Sequence, residues 1–504
     1  MTNFLTTCRV LDSWVQIQPD RTAIIDATTN LGMTYQELDQ ASTTLASALR
    51  NLGVQAGDVI AFVINERLPV AVLLYAVGKL AASWSPLNPH SAPQDWARQL
   101  DHSHASAVVF DPSFTSLVDT IRESAATVKY WIPWIAPAVR EGHTIAKHSC
   151  SARDSDYAGI LYTSGTTGIP KGAWHTHQSL WGWNHSIVAS IGMNRDDCLI
   201  NPYPLFHMGG IGFTLAAIQT GATVVLDTPF EASHFVESVQ RYKSTLTFMV
   251  PTMVQALLDL PADIRQELSQ SRLRQIITTS APLLTETRQE MARQWPQQKI
   301  SVLYSATEAV FSLLRYERAD ARLCVGRPAF GMEVAVFDQN HQPCPPGTIG
   351  TIYTQGLSVF AHYHRAPDQF HAWQNQWFTC NDVGYLDEDG YLYLVDREKD
   401  LINSGGEKIS SLEIENVLRE HPWVREVAVV GIPDKYWGEQ IHAVVVPSTS
   451  DLTPESILAF AAERLPRYKL PKSLRFMSSL PKTDTGKILK RSLRDSDHLD
   501  HTSS

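Results

Sequence analysis

The chain has 504 residues, 44% of them hydrophobic and 19% charged, with a formal net charge of -10. That length exceeds what one hydrophobic core supports, so at least two domains are expected, and the acidic balance excludes a broad nucleic-acid surface. The six cysteines, Cys8, Cys150, Cys198, Cys324, Cys344 and Cys380, show no CxxC or zinc-like spacing, which points to reduced thiols in a reducing compartment, most of them buried as small apolar residues.

Arg9 and Asp12 interrupt the apolar pattern of the N-terminus, and no basic stretch precedes a long apolar run, so it does not read as a secretory signal. The apolar run at 69–77 is too short to span a bilayer. A cytoplasmic protein is expected. From Thr34 the pattern alternates: helical periodicity over 35–52, an apolar strand at 59–64, a helix at 69–81, then punctuation at Leu87-Asn88-Pro89 and a further helix-strand unit to Phe110. This is the rhythm of an α/β protein with layered parallel sheets. Residues 122–154 carry little pattern and are expected to wander over the surface.

A short apolar run, 158–162, reads as a buried strand that delivers Tyr162-Thr163-Ser164-Gly165-Thr166-Thr167-Gly168-Ile169-Pro170-Lys171-Gly172. Glycines allow a sharp turn that presents backbone N–H groups to an anion, the hydroxyls add donors, and Lys171 adds a point charge after a stiffening proline. The loop suits a polyphosphate. It is not a Walker A loop, because the GxxxxGK[ST] spacing is absent, and Ser/Thr/Gly composition alone also fits a flexible linker.

Downstream lie an aromatic helix with Trp181 and Trp183, then Pro204-Leu205-Phe206-His207-Met208-Gly209-Gly210. Strand-like stretches at 246–251 and 276–279 lead into Ser280-Ala281-Pro282-Leu283, and another at 300–303 into Tyr304-Ser305-Ala306-Thr307-Glu308. That pentapeptide can stack on a base, bond a phosphate and hold Mg²⁺ through Glu308, since Mg²⁺ takes one or two carboxylates plus phosphate oxygens. Taken alone it reads more readily as a helix start capped by Thr307. In Trp377-Phe378-Thr379-Cys380-Asn381-Asp382, the two carboxylate oxygens of Asp382 suit a cis-diol, and Asn381 tolerates a left-handed turn. A charged segment, Asp396-Arg397-Glu398-Lys399-Asp400, then separates a large domain (1–398) from a small α+β one (399–504). The small domain carries Asn403-Ser404-Gly405-Gly406-Glu407-Lys408 and ends in Pro481-Lys482-Thr483-Asp484-Thr485-Gly486-Lys487.

In this order the segments resemble the adenylate-forming superfamily of acyl-CoA synthetases, aryl-acid adenylating enzymes and luciferase, and the resemblance covers nearly the whole chain. It implies a large AMP-binding domain and a mobile small domain. Thr163 to Lys171 would hold the phosphates, Ser280-Ala281-Pro282 and Tyr304 the adenine side, Asp382 the ribose, and Arg397 would reach the nucleotide. His207 would lie near the substrate carboxylate. Thr307 and Glu308 would serve the α-phosphate and Mg²⁺, Lys399 the hinge, Gly405-Gly406 the thiol tunnel, and Lys487 the bridge between carboxylate and α-phosphate. Ser305, Cys380 and Asn381 depart from the family pattern, which has glycine, threonine and glycine there. The implied chemistry is ATP-dependent formation of an acyl-AMP from a carboxylic acid, followed by transfer to coenzyme A. Loading of a carrier protein uses the same motifs, and a non-catalytic nucleotide sensor is the reading from a different class. Phe206-His207-Met208 offers no anion for an α-ammonium group, whose burial unpaired costs roughly several kcal/mol, so a medium- or long-chain fatty acid or an aryl acid is expected. Trp181, Trp183, Phe206, Met208, Phe213 and Val310 are expected around it, with Gly209, Gly210 and Gly212 leaving room at the pocket floor.

Overall fold

The computed structural model describes residues 5–134, 150–163, 171–315, 323–365, 372–483 and 486–494. The first long helix, Tyr35–Asn51, starts at a capping box: Glu37 N–H donates to the Thr34 hydroxyl at 3.1 Å, and Thr34 N–H donates to the Glu37 carboxylate at 2.8 Å. Two orphan helix donors are satisfied at once, which fixes where the helix begins.

The strand Val59–Val63 is buried at every position, as a strand covered on both faces must be. It runs parallel to Ser83–Pro86 on one side and Ala105–Phe110 on the other. Tyr157–Thr163 extends this sheet beyond Ser83–Pro86 and pairs antiparallel with Lys171–Thr176. A second sheet places six strands side by side in parallel: Lys299–Ser305, Gln275–Thr278, Leu246–Met249, Cys198–Asn201, Thr223–Leu226 and Thr22–Asp26.

Helices Tyr35–Asn51, Arg67–Lys79, His177–Ile191 and Met208–Thr220 fill the space between the sheets. One apolar cluster joins Leu38, Leu73, Trp183 and Phe213 of these helices to Ile60 and Phe62 of the first sheet and Ile24 and Val224 of the second. The opposite face of the second sheet packs Val225, Met249 and Ile276 against Phe235, Leu257 and Met291. Trp96 and Leu100 cover the outer face of the first. The result is the expected layered α/β architecture. It brings the C-terminal ends of the parallel strands Gln275–Thr278 and Lys299–Ser305 to one edge, the usual ligand position in such sheets. The C-terminal part packs helices Ser411–Arg419 and Pro454–Ala462 on a separate sheet built on Val424–Asp434 and Gly438–Pro447.

Three expectations are corrected. Within 122–154, Tyr130–Pro133 forms a parallel edge strand beside Ala105–Phe110; four residues ending in proline are too few to show a period, and an edge position tolerates the proline. The stretch 304–308 is no helix start, because Lys299–Ser305 turns directly into the antiparallel strand Val310–Leu314. Cys8 and Cys150 are joined as a disulfide, with Cα atoms 6.1 Å apart across 142 residues. The fold lays the N-terminal helix Thr7–Ile17 beside the segment that leads into Tyr157–Thr163, a long-range meeting with no local signature. The other four cysteines are free.

Candidate active site

The strand ends supply the first groups. Tyr304, the penultimate residue of the strand Lys299–Ser305, is half-buried and donates its hydroxyl to Asp382 Oδ2 at 2.5 Å. Asp382 begins the strand Asp382–Leu386, where it lies opposite Arg397, and Arg397 Nε meets Asp382 Oδ1 at 3.2 Å. Each carboxylate oxygen therefore has one donor, and the carboxylate field raises the Arg397 pKa further against the penalty of burial. Asn381 has φ 61, the left-handed turn that an asparagine accepts where the family has glycine. The hydroxyl of Ser305, also glycine in the family, lies 3.3 Å from Thr279 Oγ1. Both departures are thus accommodated locally. Burial pushes the Cys380 thiol well up, so it brings no charge to the site.

Thr307 and Glu308 sit in the turn after Ser305. The Thr307 carbonyl accepts from His175 Nε2 at 2.8 Å. His175 is fully buried, and burial pushes its pKa down to about 4, so the ring is neutral and donates from Nε2. Glu308, 6% exposed, accepts from the Tyr363 hydroxyl at 2.8 Å on Oε1. Lys171 Nζ lies 5.2 Å from the centre of the Tyr363 ring; burial lowers its pKa and Glu308 opposes that shift. His175 and Tyr363 were not found from the sequence. Nothing in their spacing from 304–308 marks them, and only the sheet pairing of Lys171–Thr176 with His362–Tyr363 brings them in.

Lys487 is half-buried and feels the charges of these same groups. Its pKa is pushed down to about 8, first by burial and then by repulsion from Arg397, against the attraction of Asp382 and Glu308. A lysine from the last motif of the chain thus stands within electrostatic reach of three residues of the large unit, where two anions could be drawn together. Lys399 occupies the single 3-10 turn Glu398–Asp400 between the strands Leu392–Arg397 and Ile402–Ser404. Gly405 and Gly406, at φ 62 and 87, form the turn between Ile402–Ser404 and Glu407–Ile409.

Of the phosphate-loop residues, Thr163 and Lys171 face each other at the mouth of the hairpin, paired in register; Ser164, Gly165, Thr166, Thr167 and Gly168 lie outside the described residues. Ser280, followed by Ala281 and Pro282, has φ 72 just after Gln275–Thr278, a left-handed turn the sequence did not announce. His207 caps the N-terminus of Met208–Thr220 with its ring 4.5 Å from Phe206. Among the described residues, no group of three or more His, Cys, Asp or Glu side chains is arranged to hold a metal. Among the described residues, no helix is long and apolar enough to cross a membrane.

The expected pocket floor is corrected. A Cβ at Gly210 would lie 2.0 Å from the Pro204 carbonyl oxygen, one at Gly209 2.7 Å from the Tyr203 ring, and one at Gly212 2.6 Å from the Trp183 ring. These glycines permit close helix packing and leave no room for an acyl chain. Trp183 is a core residue that donates its indole N–H to the Ala306 carbonyl at 3.2 Å. Phe213, stacked on Phe248 at 3.8 Å, and Val310 are fully buried with it. Trp181 stacks on His185 and lines a small void with Leu5, Thr7, Val10 and Tyr75. An open cleft of about 720 Å³ is lined by Met332, Glu333, Gln355, Phe360 and Trp373 among others. It adjoins the site through Phe360, whose N–H donates to the Glu308 carbonyl at 2.8 Å.

Residues 11–364 match the family described as AMP-binding enzyme, and residues 413–487 match the AMP-binding enzyme C-terminal domain. The chain is 30% identical over 490 residues to a long-chain-fatty-acid–CoA ligase of Mycobacterium tuberculosis, covering 95% of this chain and 96% of that protein. To a feruloyl-CoA synthase of Amycolatopsis sp it is 33% identical over 497 residues, covering 96% and 98%. The crystal structure of ATP-bound MatB from Rhodopseudomonas palustris superimposes with a TM-score of 0.88 at 26% identity, covering 98% of this chain and 99% of that one. With both parts matched, and relatives at 30% identity or more covering nearly the whole chain, the chain belongs to the AMP-binding, adenylate-forming enzyme family.

Proposed function

We propose that this protein is an AMP-forming acid–thiol ligase: it converts a carboxylic acid and ATP to an acyl-AMP, then passes the acyl group to the thiol of coenzyme A. The observation that carries the reading is that Lys487, from the last motif of the chain, lies half-buried where the charges of Asp382, Glu308 and Arg397 act on it. A carboxylate attacking a phosphate must overcome repulsion between two anions. An ammonium fixed in a water-poor site offsets it where charge develops, and needs no reorganisation at the moment of reaction. Asp382 holds the ribose hydroxyls, with Tyr304 and Arg397 orienting its two oxygens. Ser280, Ala281 and Pro282 border the adenine, Thr163 to Lys171 take the departing pyrophosphate, and His207 lies beside the acid.

Glu308 is the residue that would hold Mg²⁺. A single buried carboxylate oriented by Tyr363 fits an ion that takes most of its ligands from phosphate oxygens. Bound there, the ion would neutralise phosphate charge. Thr307, its carbonyl pinned by His175, sets the turn that carries this carboxylate.

The second half-reaction needs Lys487 out of the way. Lys399, between the two sheets, is the hinge, with the boundary of the two domains at 398/399. Rotation about it brings the Gly405-Gly406 turn to the site, where the absence of side chains lets the thiol pass close to backbone. The acid is a medium- or long-chain fatty acid or an aryl acid, in a cytoplasmic enzyme. Lack of a carboxylate beside Phe206-His207-Met208 argues against an α-ammonium group, and the two relatives above are named for a fatty acid and for ferulate. Acyl transfer to a carrier protein instead of free coenzyme A is the alternative acceptor. ATP–pyrophosphate exchange across a panel of acids, followed by thioester formation with free coenzyme A, tests the proposal; exchange without turnover on free coenzyme A would select the carrier protein.

A further inference from the structure

Lys487 arrives at the end of a turn that is held as one piece. Thr483 N–H donates to the Lys487 carbonyl at 2.8 Å, Gly486 N–H donates to the Thr483 carbonyl at 2.8 Å, and Lys487 N–H donates to Thr483 Oγ1 at 3.1 Å. Whatever stops Gly486 therefore also sets Lys487. What Gly486 meets is the first turn of helix Pro251–Leu258 in the large unit. Gly486 has φ 78, and a Cβ built on it would lie 2.5 Å from Thr252 Oγ1 and 3.6 Å from both Thr252 Cβ and Val250 Cγ2. The backbone of the small unit touches this helix with no side chain between.

We propose that helix Pro251–Leu258 is the dock that seats the small domain for adenylation, with Thr252 as a positioning residue that sets how far Lys487 enters the site. The inference rests on the assignment of Lys487 above. Thr252 touches Gly486 only in this arrangement of the domains, so its effect falls on the first half-reaction alone. Misplacing a reacting group by an ångström costs about 100-fold in rate.

Two variants test this. Thr252→Leu adds bulk at the contact and is expected to cut ATP–pyrophosphate exchange about 100-fold, as kcat more than KM, while thioester formation from preformed acyl-AMP is unchanged. In Thr252→Cys/Gly486→Cys the 3.6 Å separation of Cβ positions fits a disulfide. Mild oxidation is expected to join 252 to 486, identified as a cross-linked peptide by mass spectrometry, and to abolish thioester formation from preformed acyl-AMP until reductant is added. The cross-link reports the dock even if no acid in the panel is turned over, which separates failure of the dock from failure of the proposed activity. Absence of the 252–486 cross-link, or wild-type exchange in Thr252→Leu, would overturn the inference.

Discussion

Lys487→Ala removes the ammonium that would bridge the substrate carboxylate and the α-phosphate. Loss of one preorganised charge-stabilising donor costs about 10²–10³-fold in rate, and that is the expected fall in ATP–pyrophosphate exchange. Thioester formation from preformed acyl-AMP is expected to persist, because the lysine acts only before the domain rotates. The structure adds a pH dependence that a purely structural lysine would not show. With a pKa of about 8 in the free enzyme, Lys487 is almost wholly protonated at pH 7 and roughly one-tenth protonated a unit above its pKa. The charged form is the active one, so kcat/KM for adenylation should fall about tenfold between pH 7 and pH 9. It is kcat/KM that reports the free enzyme. The thioester half-reaction should lack this particular limb. Equal loss of both half-reactions in Lys487→Ala would refute the reasoning, as would a wild-type adenylation profile that stays flat to pH 9.5.

Other substitutions probe the rest of the site. Lys399→Pro fixes φ at the linking turn; exchange should survive and thiol transfer should stop, and normal thioester synthesis in this variant would contradict the hinge. Tyr363→Phe removes the donor to Glu308 Oε1 and should raise the KM for Mg-ATP while leaving the melting temperature nearly unchanged; an unaltered KM would show that Glu308 needs no orientation. Trp183→Ala should destabilise the large domain by about 3–5 kcal/mol, read in chemical unfolding, and Gly210→Trp should prevent folding, since its side chain would start against the Pro204 carbonyl. A well-folded Gly210→Trp enzyme that accepts shorter acids would restore the glycines to the pocket.

The parts of this structure that were legible in the sequence are those governed by local rules. The helix that follows Thr34, the uninterrupted apolar strand Val59–Val63 and the α+β make-up of the C-terminal part all follow from neighbours along the chain. Asn381 could be read as a left-handed turn because asparagine stands where glycine would. Ser280 adopts the same region without such a residue, and therefore went unseen. His175, Tyr363 and the Cys8–Cys150 pair are meetings between distant strands or segments. Their chemistry becomes visible only after the sheet order is known. The run Gly209, Gly210 and Gly212 misled because a glycine frees space only if nothing else fills it. Here Tyr203, the Pro204 carbonyl and Trp183 do, so composition announced a cavity where there is close packing.

The central claim is that a carboxylic acid is activated as its adenylate before a thiol takes it. Incubating the protein with ATP, Mg²⁺, coenzyme A and a panel of acids spanning acetate, medium- and long-chain fatty acids, aryl acids and amino acids, and following AMP, pyrophosphate and thioester together, tests this directly. The account predicts the three products in equal amounts, with fatty or aryl acids turned over in preference to acetate and amino acids, and pyrophosphate exchange before coenzyme A is added. Release of ADP and phosphate, or no acid-dependent exchange with any member of the panel, would contradict it.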